Sequence, residues 1–328
     1  MQHRAIAEEI SRNGPKIVSR ILVTGAAGFI GGALCPALSA RGHIVVAGLR
    51  SLGEPRQGAE SVVLGDIGPD TDWSKALRGV ETVIHLAQRA HVGPDQRVLA
   101  AEPTAVAALA RAIAGAGGQR LVLVSSIKAM AEVTSPGHPL CPEDEPRPQD
   151  AYGNAKLASE RAAAFAARET GIELVVIRPP LVYGPGVRAN FAALVRLARS
   201  GLPLPFATID NRRSLIFRDN LVDLLAVAAT HQAAAGMTLL ARDDKDFSTP
   251  ELIQALAAGL NRKPHLFPVP SALFAALRPL PGIGTKMMRL TLSLQVDDSA
   301  TRTALQWSPP VPAASALTAT GRAFATHL

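Results

Sequence analysis

Six short apolar runs, separated by Ala- and Leu-rich helical stretches, constrain this chain more than any other feature. The runs are Ile21–Thr24, Ile44–Gly48, Ser61–Leu64, Thr82–Leu86, Arg120–Ser125 and Leu174–Ile177; Ala33–Arg41 and Thr104–Ala114 are among the helical stretches between them. Strands joined by helices run parallel, because a helix carries the chain back to start the next strand in the same direction. An α/β fold with a doubly wound parallel sheet follows, with helices on both faces and the ligand at the carboxyl ends of the strands. After Arg178 the regularity breaks and prolines crowd in (Pro179, Pro180, Pro185, Pro203, Pro205, then Pro264, Pro268 and Pro270). This pattern predicts a small, discontinuous carboxyl-terminal lobe, with strands at Ile216–Asp219 and Met237–Leu240 returning to or flanking the sheet. The expected division is a tail over 1–19, a nucleotide-binding domain over 20–180 and a substrate lobe over 181–328. Residues from about 214 to 242 are expected to rejoin the first domain.

The first strand runs into VTGAAGFIGG, Val23 to Gly32, where Gly25, Gly28 and Gly31 are spaced G-x-x-G-x-x-G. One glycine permits the sharp turn, the next lets backbone amides approach a pyrophosphate, and the third packs helix on strand. This identifies the sheet as Rossmann-type. Asp66, after the third strand, is placed to accept from an adenine amino group. The second strand ends in Leu49-Arg50, with no acid to bind the ribose hydroxyls of NAD. Arg50 is able to pair with a 2′-phosphate, so the expected cofactor is NADP or NAD, with NADP favoured.

Downstream, Tyr152 and Lys156 stand four apart in DAYGNAKLASE, after a strand that ends in Ser125-Ser126. Residues four apart share a helix face. The ammonium favours phenolate, so Tyr152 is expected to exchange its proton well below the ordinary value of about 10.

Composition excludes several classes. The 328 residues are 48% hydrophobic and 19% charged, which is globular rather than disordered. A net charge of +7 suits an anionic ligand. The basic residues are scattered, without aromatic interleaving, so nucleic acid is not expected as a partner. Cys35 and Cys141 lack metal-like spacing; no metal and no disulfide are expected, and a reducing cytoplasm fits. Met1 to Arg20 lacks the apolar stretch of a signal peptide. The longest uncharged stretch, Leu224 to Ala241, reads as a helix followed by a strand rather than a membrane segment.

Taken together, TGAAGFIG, GDI, HLAQ (His85–Gln88), SSIK, YGNAK, IRPPLVYGPG and RRSLIFRDNLVDL resemble the extended short-chain dehydrogenase/reductase family. This group contains nucleotide-sugar epimerases, dehydratases and ketoreductases, and the resemblance runs from about Ile21 to Trp307. It implies that Tyr152 is the acid/base at a sugar carbinol or carbonyl oxygen, that Lys156 binds the nicotinamide ribose, and that Ser126 bonds the same substrate oxygen. Gly25, Gly28, Phe29, Ile30, Arg50, Asp66, Ile67, Leu86 and Ala87 would join Tyr152 and Lys156 in holding the dinucleotide. Asn190 and Arg213 match positions near a UDP diphosphate; Arg212 and Arg289 are weaker candidates, each reading better as a plain surface arginine. Leu204, in the apolar stretch Leu202 to Phe206, would line the uracil or else pack in the core.

Two departures matter. Dehydratases of this family carry Asp-Glu directly after the catalytic Ser/Thr, where this chain has Ile127 and Lys128, so dehydration is rejected. Lys128 touches substrate or is a solvated loop lysine. Leu181 stands where many epimerases have an Asn. The resemblance leaves two reactions: reduction of a UDP-4-keto-6-deoxy-N-acetylhexosamine for surface polysaccharide, or UDP-hexose 4-epimerisation on tightly held NAD. A cofactor-sensing regulator is the non-enzymatic alternative. Family habit implies a homodimer through Thr104–Ala114 and Tyr152–Arg168, although Ala-rich faces pack internally as well; Leu266 to Leu294 is read as a substrate lid, with a peripheral membrane contact as the lesser reading.

Overall fold

A computed structural model describes residues 18–51, 53, 58–87, 96–135, 137–277 and 283–325. Most of the amino-terminal tail and Gln88 of the HLAQ segment therefore lie outside the described residues, as do residues 278–282 within the expected lid.

Strands β1 (Arg20–Thr24), β2 (Ile44–Leu49), β3 (Glu60–Val63), β4 (Thr82–His85), β5 (Arg120–Val124), β6 (Glu173–Arg178) and β9 (Thr238–Leu240) form one sheet in the order β3-β2-β1-β4-β5-β6-β9. Every pairing is parallel, for example Ile21 with Val45 and with Thr82. Successive side chains of a strand point to opposite faces, and the core divides accordingly. Ile21, Val23, Ile84, Val122 and Ile177 pack on one face with α1 (Gly31–Ala40) and α5 (Arg218–Thr230). Leu22, Val83, Leu121 and Leu123 pack on the other with α2 (Gln96–Gly115) and α3 (Ala151–Thr170).

The segment 215–217 is a strand, but not of this sheet. β8 (Leu215–Phe217) pairs in parallel with β7 (Leu181–Tyr183) as a separate ribbon, and the chain turns helical at Arg218, earlier than the sequence pattern predicts. The seventh strand of the main sheet is supplied by residues 238–240, as expected. Helix α2 also starts well before Thr104, because Pro103 keeps a helical φ and gives up a backbone donor without ending the helix.

Beyond the sheet, α4 (Ala189–Arg199), α6 (Thr249–Gly259), α7 (Ser271–Leu277) and α10 (Ala313–Ala325) gather round a second, aromatic core of Tyr183, Phe191, Phe206, Phe217, Phe247 and Phe274. Helix α8 (Gly284–Thr291) packs on this core through Met287 and Leu290, whereas α9 (Ser299–Leu305) packs through Leu305 on the core of the main sheet. Among the described residues, no helix is long and apolar enough to cross a membrane, and no group of His, Cys, Asp and Glu has the arrangement to hold a metal ion.

Candidate active site

Strand order reverses between β1 and β4, and loops leaving those neighbours diverge to open a crevice at the carboxyl ends. The glycine loop sits there. Gly25 has φ +69°, and a Cβ on it would lie 2.9 Å from the Ala87 amide nitrogen. A Cβ on Gly31 would lie 2.4 Å from the Gly25 carbonyl oxygen. No backbone substituent fits at either place. Helix α1 has Ile30 at its N-cap, with no side-chain cap and no acid in its first turn; the Gly32 and Ala33 amides donate to the Gly28 and Ile30 carbonyls, so what the helix turns toward an anion is its positive end. Such a cradle fits a dinucleotide pyrophosphate.

Thr24 fastens this loop to the next strand. Its hydroxyl accepts from the amides of Leu86 and Ala87, both at 3.2 Å, which directs its own proton at Nδ1 of His85, 2.9 Å away. His85 is buried, and burial, reinforced by the Lys156 charge, pushes its pKa down to about 3. The imidazole is therefore neutral, with its proton on Nε2.

At the adenosine end, Arg50 and Asp66 pair with each other: Nε to Oδ1 is 2.8 Å, and both side chains are exposed. Ile67, next along, packs partly buried against the sheet, Ile30 packs on the opposite core, and the Arg218 guanidinium lies 5.4 Å from the Phe29 ring centroid.

The segment after β5 and the start of α3 bring the three polar groups together. Ser126 caps a 3₁₀ turn over Ile127–Ala129 by accepting from the Lys128 amide at 3.2 Å. Asp150 caps α3 by accepting from the Gly153 amide at 2.7 Å, which sets Tyr152 in the first turn. The Ser126 side chain lies near enough to the Tyr152 phenol to pull its pKa down, and the Lys156 ammonium lies 5.2 Å from the centroid of the phenol ring.

The electrostatics correct the sequence reading. Tyr152 is not held near phenolate; burial, aided by the Glu102 and Asp150 carboxylates, pushes its pKa up to about 12 against the lowering pull of Ser126. Glu102 on α2 adds to the effect of burial: its carboxylate pairs with Lys156 Nζ at 2.9 Å and itself disfavours the phenolate. Burial lowers the Lys156 pKa, while Glu102 works to raise it.

Lys128 is neither free nor merely solvated. It is held by Glu132 at 2.6 Å and by Asp150. Arg213 is partly buried; its Nη1 donates to the Leu292 carbonyl at 3.1 Å, and desolvation plus the neighbouring Arg289 lower its pKa to about 10. Arg212 is an exposed arginine paired with Asp210 and Glu251. Asn190 stands in the first turn of α4, and its side chain lies outside the described residues. Leu204 is a core residue: its side chain is buried in the second lobe, and its amide and carbonyl pair with His265 and Phe267. Exposure falls instead on Leu202, and Leu181 lies exposed on β7.

Sequence reasoning missed Glu102 and Glu160. Glu102 carried a signal, as the sole acid between Asp95 and Glu132 in a long apolar stretch. Glu160, one turn beyond Lys156, receives Arg178 through Nη2 at 2.6 Å and through Nε at 3.0 Å, and also the Ser125 hydroxyl. This buried cluster anchors the strand end that carries Ser126.

Residues 21–238 match the NAD dependent epimerase/dehydratase family. A UDP-glucose 4-epimerase from Vibrio cholerae is 36% identical over 319 residues, covering 94% of this chain and 96% of that protein. Among solved structures, a UDP-glucuronic acid 4-epimerase from Bacillus cereus, in complex with UDP-glucuronic acid and NAD, superposes with a TM-score of 0.75. It is 22% identical and covers 94% of this chain and 100% of that one. A UDP-N-acetylglucosamine 4-epimerase from the same species gives 0.74 at 20% identity, covering 92% and 98%. At these identities the superpositions establish the fold.

Proposed function

The chain belongs to the NAD dependent epimerase/dehydratase family, within the extended short-chain dehydrogenases/reductases, and from that premise we propose that it catalyses hydride transfer at C4 of a UDP-hexose. The carrying observation is the half-buried Tyr152 phenol, set beside Ser126 and one helical turn from Lys156. When bound, a nicotinamide dinucleotide supplies or accepts the hydride. The chain does the rest. The uncapped start of α1 and the glycine cradle bind the pyrophosphate. Lys156 gives one donor to Glu102 and keeps two for the ribose hydroxyls. Ser126 orients the substrate oxygen. Tyr152, neutral up to a pKa of about 12, passes its proton to a carbonyl oxygen as that oxygen gains charge.

A phenol that keeps its proton suits reduction, and the favoured substrate is a UDP-4-keto-6-deoxy-N-acetylhexosamine of surface-polysaccharide synthesis. Ile127 and Lys128 replace the acid and base that dehydration needs, and Lys128 is already engaged by two carboxylates. Arg50, with no acid at the end of β2, favours NADP. An exposed ion pair such as Arg50–Asp66 is worth about 0–1 kcal/mol, so a 2′-phosphate displaces it at little cost. Arg213, with Arg289 beside it, receives the diphosphate, and Lys128 faces the sugar. We assign residues 20–180 and about 214–242 to dinucleotide binding and the remainder to the nucleotide-sugar lobe. The chain works as a cytoplasmic homodimer through the outer faces of α2 and α3, where Phe165 is exposed.

The Vibrio relative supports a second reading, a 4-epimerase that retains NAD. Mass spectrometry of the purified protein, followed by assay, separates the two. Stoichiometric NADPH consumption with a 4-keto substrate supports reduction. Retained NAD, with interconversion of UDP-glucose or UDP-N-acetylglucosamine and its galacto epimer without added cofactor, supports epimerisation. Full activity in Tyr152→Phe refutes both.

A further inference from the structure

Two long stretches of this chain contain no acid. There is no Asp or Glu from Leu174 to Ile209, and none from Leu252 to Val296, although cations such as Arg196, Arg199, Arg262 and Lys263 continue through both. The fold lays one stretch against the other. Leu204 bridges to Leu266 in parallel, its amide donates to the His265 carbonyl at 2.8 Å, and the Ala207 amide donates to the Phe267 carbonyl at 3.2 Å. Arg262 Nη1 donates to the Arg199 carbonyl at 2.8 Å, which brings the end of α4 beside the residues that follow α6. The buried Phe206 and Phe274 rings, with centroids 6.1 Å apart, seat α7 on the same segment.

The resulting face carries bare apolar side chains beside bare cations. Leu202 is 62% exposed, Leu273 56% and Phe267 38%. Arg196, Arg262 and Lys263 are exposed. Asp210 and Glu251, the acids that border the two stretches, are taken by Arg212 and Lys245; among the described residues no carboxylate pairs with Arg196, Arg262 or Lys263. Cations at a helix end are ordinary, since they offset the partial negative charge there. That accounts for Arg196, but it leaves three large apolar side chains in water without a reason. The face also stands apart from the crevice: Arg199 is nine residues along α4 from Asn190, about 14 Å at the helical rise.

We propose that this face docks on an anionic lipid surface, with Leu202, Phe267 and Leu273 entering the headgroup boundary and Arg196, Arg262 and Lys263 lying among the lipid phosphates. An anionic bilayer offers the matching order in depth, phosphates outermost and acyl chains beneath. Exposed apolar side chains flanked by unpaired cations complement both layers at once. A nucleic acid would use the cations and leave the leucines in water. The docking is independent of the hydride-transfer reading, because lipid binding is measured without substrate or cofactor.

The test is co-sedimentation of the full chain with phosphatidylcholine vesicles, with and without phosphatidylglycerol, at low and at high salt. The parent protein is expected to bind the phosphatidylglycerol vesicles at low salt, to leave them at high salt, and to ignore pure phosphatidylcholine. Arg262→Gln with Lys263→Gln is expected to weaken binding about 25-fold, at about fivefold for each cation near an anionic surface. Leu202→Ser with Leu273→Ser is expected to weaken it by about tenfold or more, through the apolar area no longer buried. Circular dichroism checks that each variant is folded, and the single replacements serve if a pair is not. A parent that does not bind, or binding that either folded pair leaves unchanged, overturns the proposal. So does self-association in sedimentation velocity that the leucine pair abolishes in a chain that ignores vesicles, which assigns the face to a second copy. Binding of polyglutamate but not of vesicles assigns it to an acidic protein and overturns the proposal as well.

Discussion

Gly153→Ala tests whether the start of α3 and the Ser126 turn are in register to within a fraction of a bond length. Gly153 follows Tyr152, and a methyl group there would lie 2.3 Å from the Lys128 carbonyl oxygen and 3.1 Å from Pro148 Cβ. The first neighbour is backbone and cannot swing aside. Reaching an ordinary contact of 3.4 Å needs about 1 Å of separation between α3 and the turn that carries Ser126. A misplacement of that size costs about 10²-fold in rate. Stability changes less, because alanine in a helix gains about 0.5–1 kcal/mol over glycine, against about 1–3 kcal/mol of overpacking. The expected result is a fall in kcat/KM of about two orders of magnitude with a small loss in denaturant midpoint. Gly115→Ala is the control, because a Cβ there has nothing within 4 Å. Gly153→Ala with kcat/KM within threefold of the parent (about 0.6 kcal/mol) would refute the close coupling of α3 to Ser126.

Four further outcomes follow from the same contacts. Arg178→Met strands the Glu160 carboxylate, with both side chains now 7% exposed, and is expected to cost about 3–5 kcal/mol in urea unfolding; adding Glu160→Leu restores most of it. Arg50→Ala is expected to raise KM for NADPH about tenfold or more while barely changing KM for NADH; equal effects remove the 2′-phosphate role. Arg213→Ala is expected to weaken UDP binding by about 10- to 100-fold in calorimetry while leaving the dinucleotide unaffected. His85 has a folded pKa of about 3 against 6.5 when free, so below pH 6.5 the unfolded chain takes up a proton that the native chain refuses. Stability is then lost as pH falls from 6.5 toward 3, by roughly 3–5 kcal/mol, and His85→Gln flattens that slope.

Much of the fold was legible because its signals are local. Alternation within runs such as Ile21–Thr24 separates Ile21 and Val23 from Leu22, and those residues do face opposite cores. The glycine loop was readable for the same reason: Gly25 and Gly31 are demanded by backbone approaches a few ångströms away. The ribbon of β7 and β8 was not readable, since three-residue strands carry no period that says which sheet they join. Within the site, Ser126, Tyr152 and Lys156 stood out through spacing. Their electrostatic setting did not, because burial, the main cause of the raised Tyr152 pKa, and Glu102, which comes from 54 residues away, act only once the chain is folded. Likewise Arg50 and Asp66, each read as a separate ligand for the cofactor, turn out to hold one another.

The cations around the crevice divide into two kinds. Lys156, Lys128 and Arg50 each have a carboxylate in contact, so they are neutralised before any ligand arrives. Arg213 is different: it donates to a carbonyl, Arg289 lies close enough to lower its pKa, and among the described residues no carboxylate forms an ion pair with it. A partly desolvated guanidinium next to a like charge opposes folding, and a diphosphate brought to that spot relieves both the repulsion and the lost hydration. Ligand charge is therefore worth most at Arg213 and least at Lys156, which lies beside the reacting atoms. Tight binding of the nucleotide and control of the proton are carried by different cations, so affinity for the diphosphate can change through Arg213 without altering the proton affinity of Tyr152.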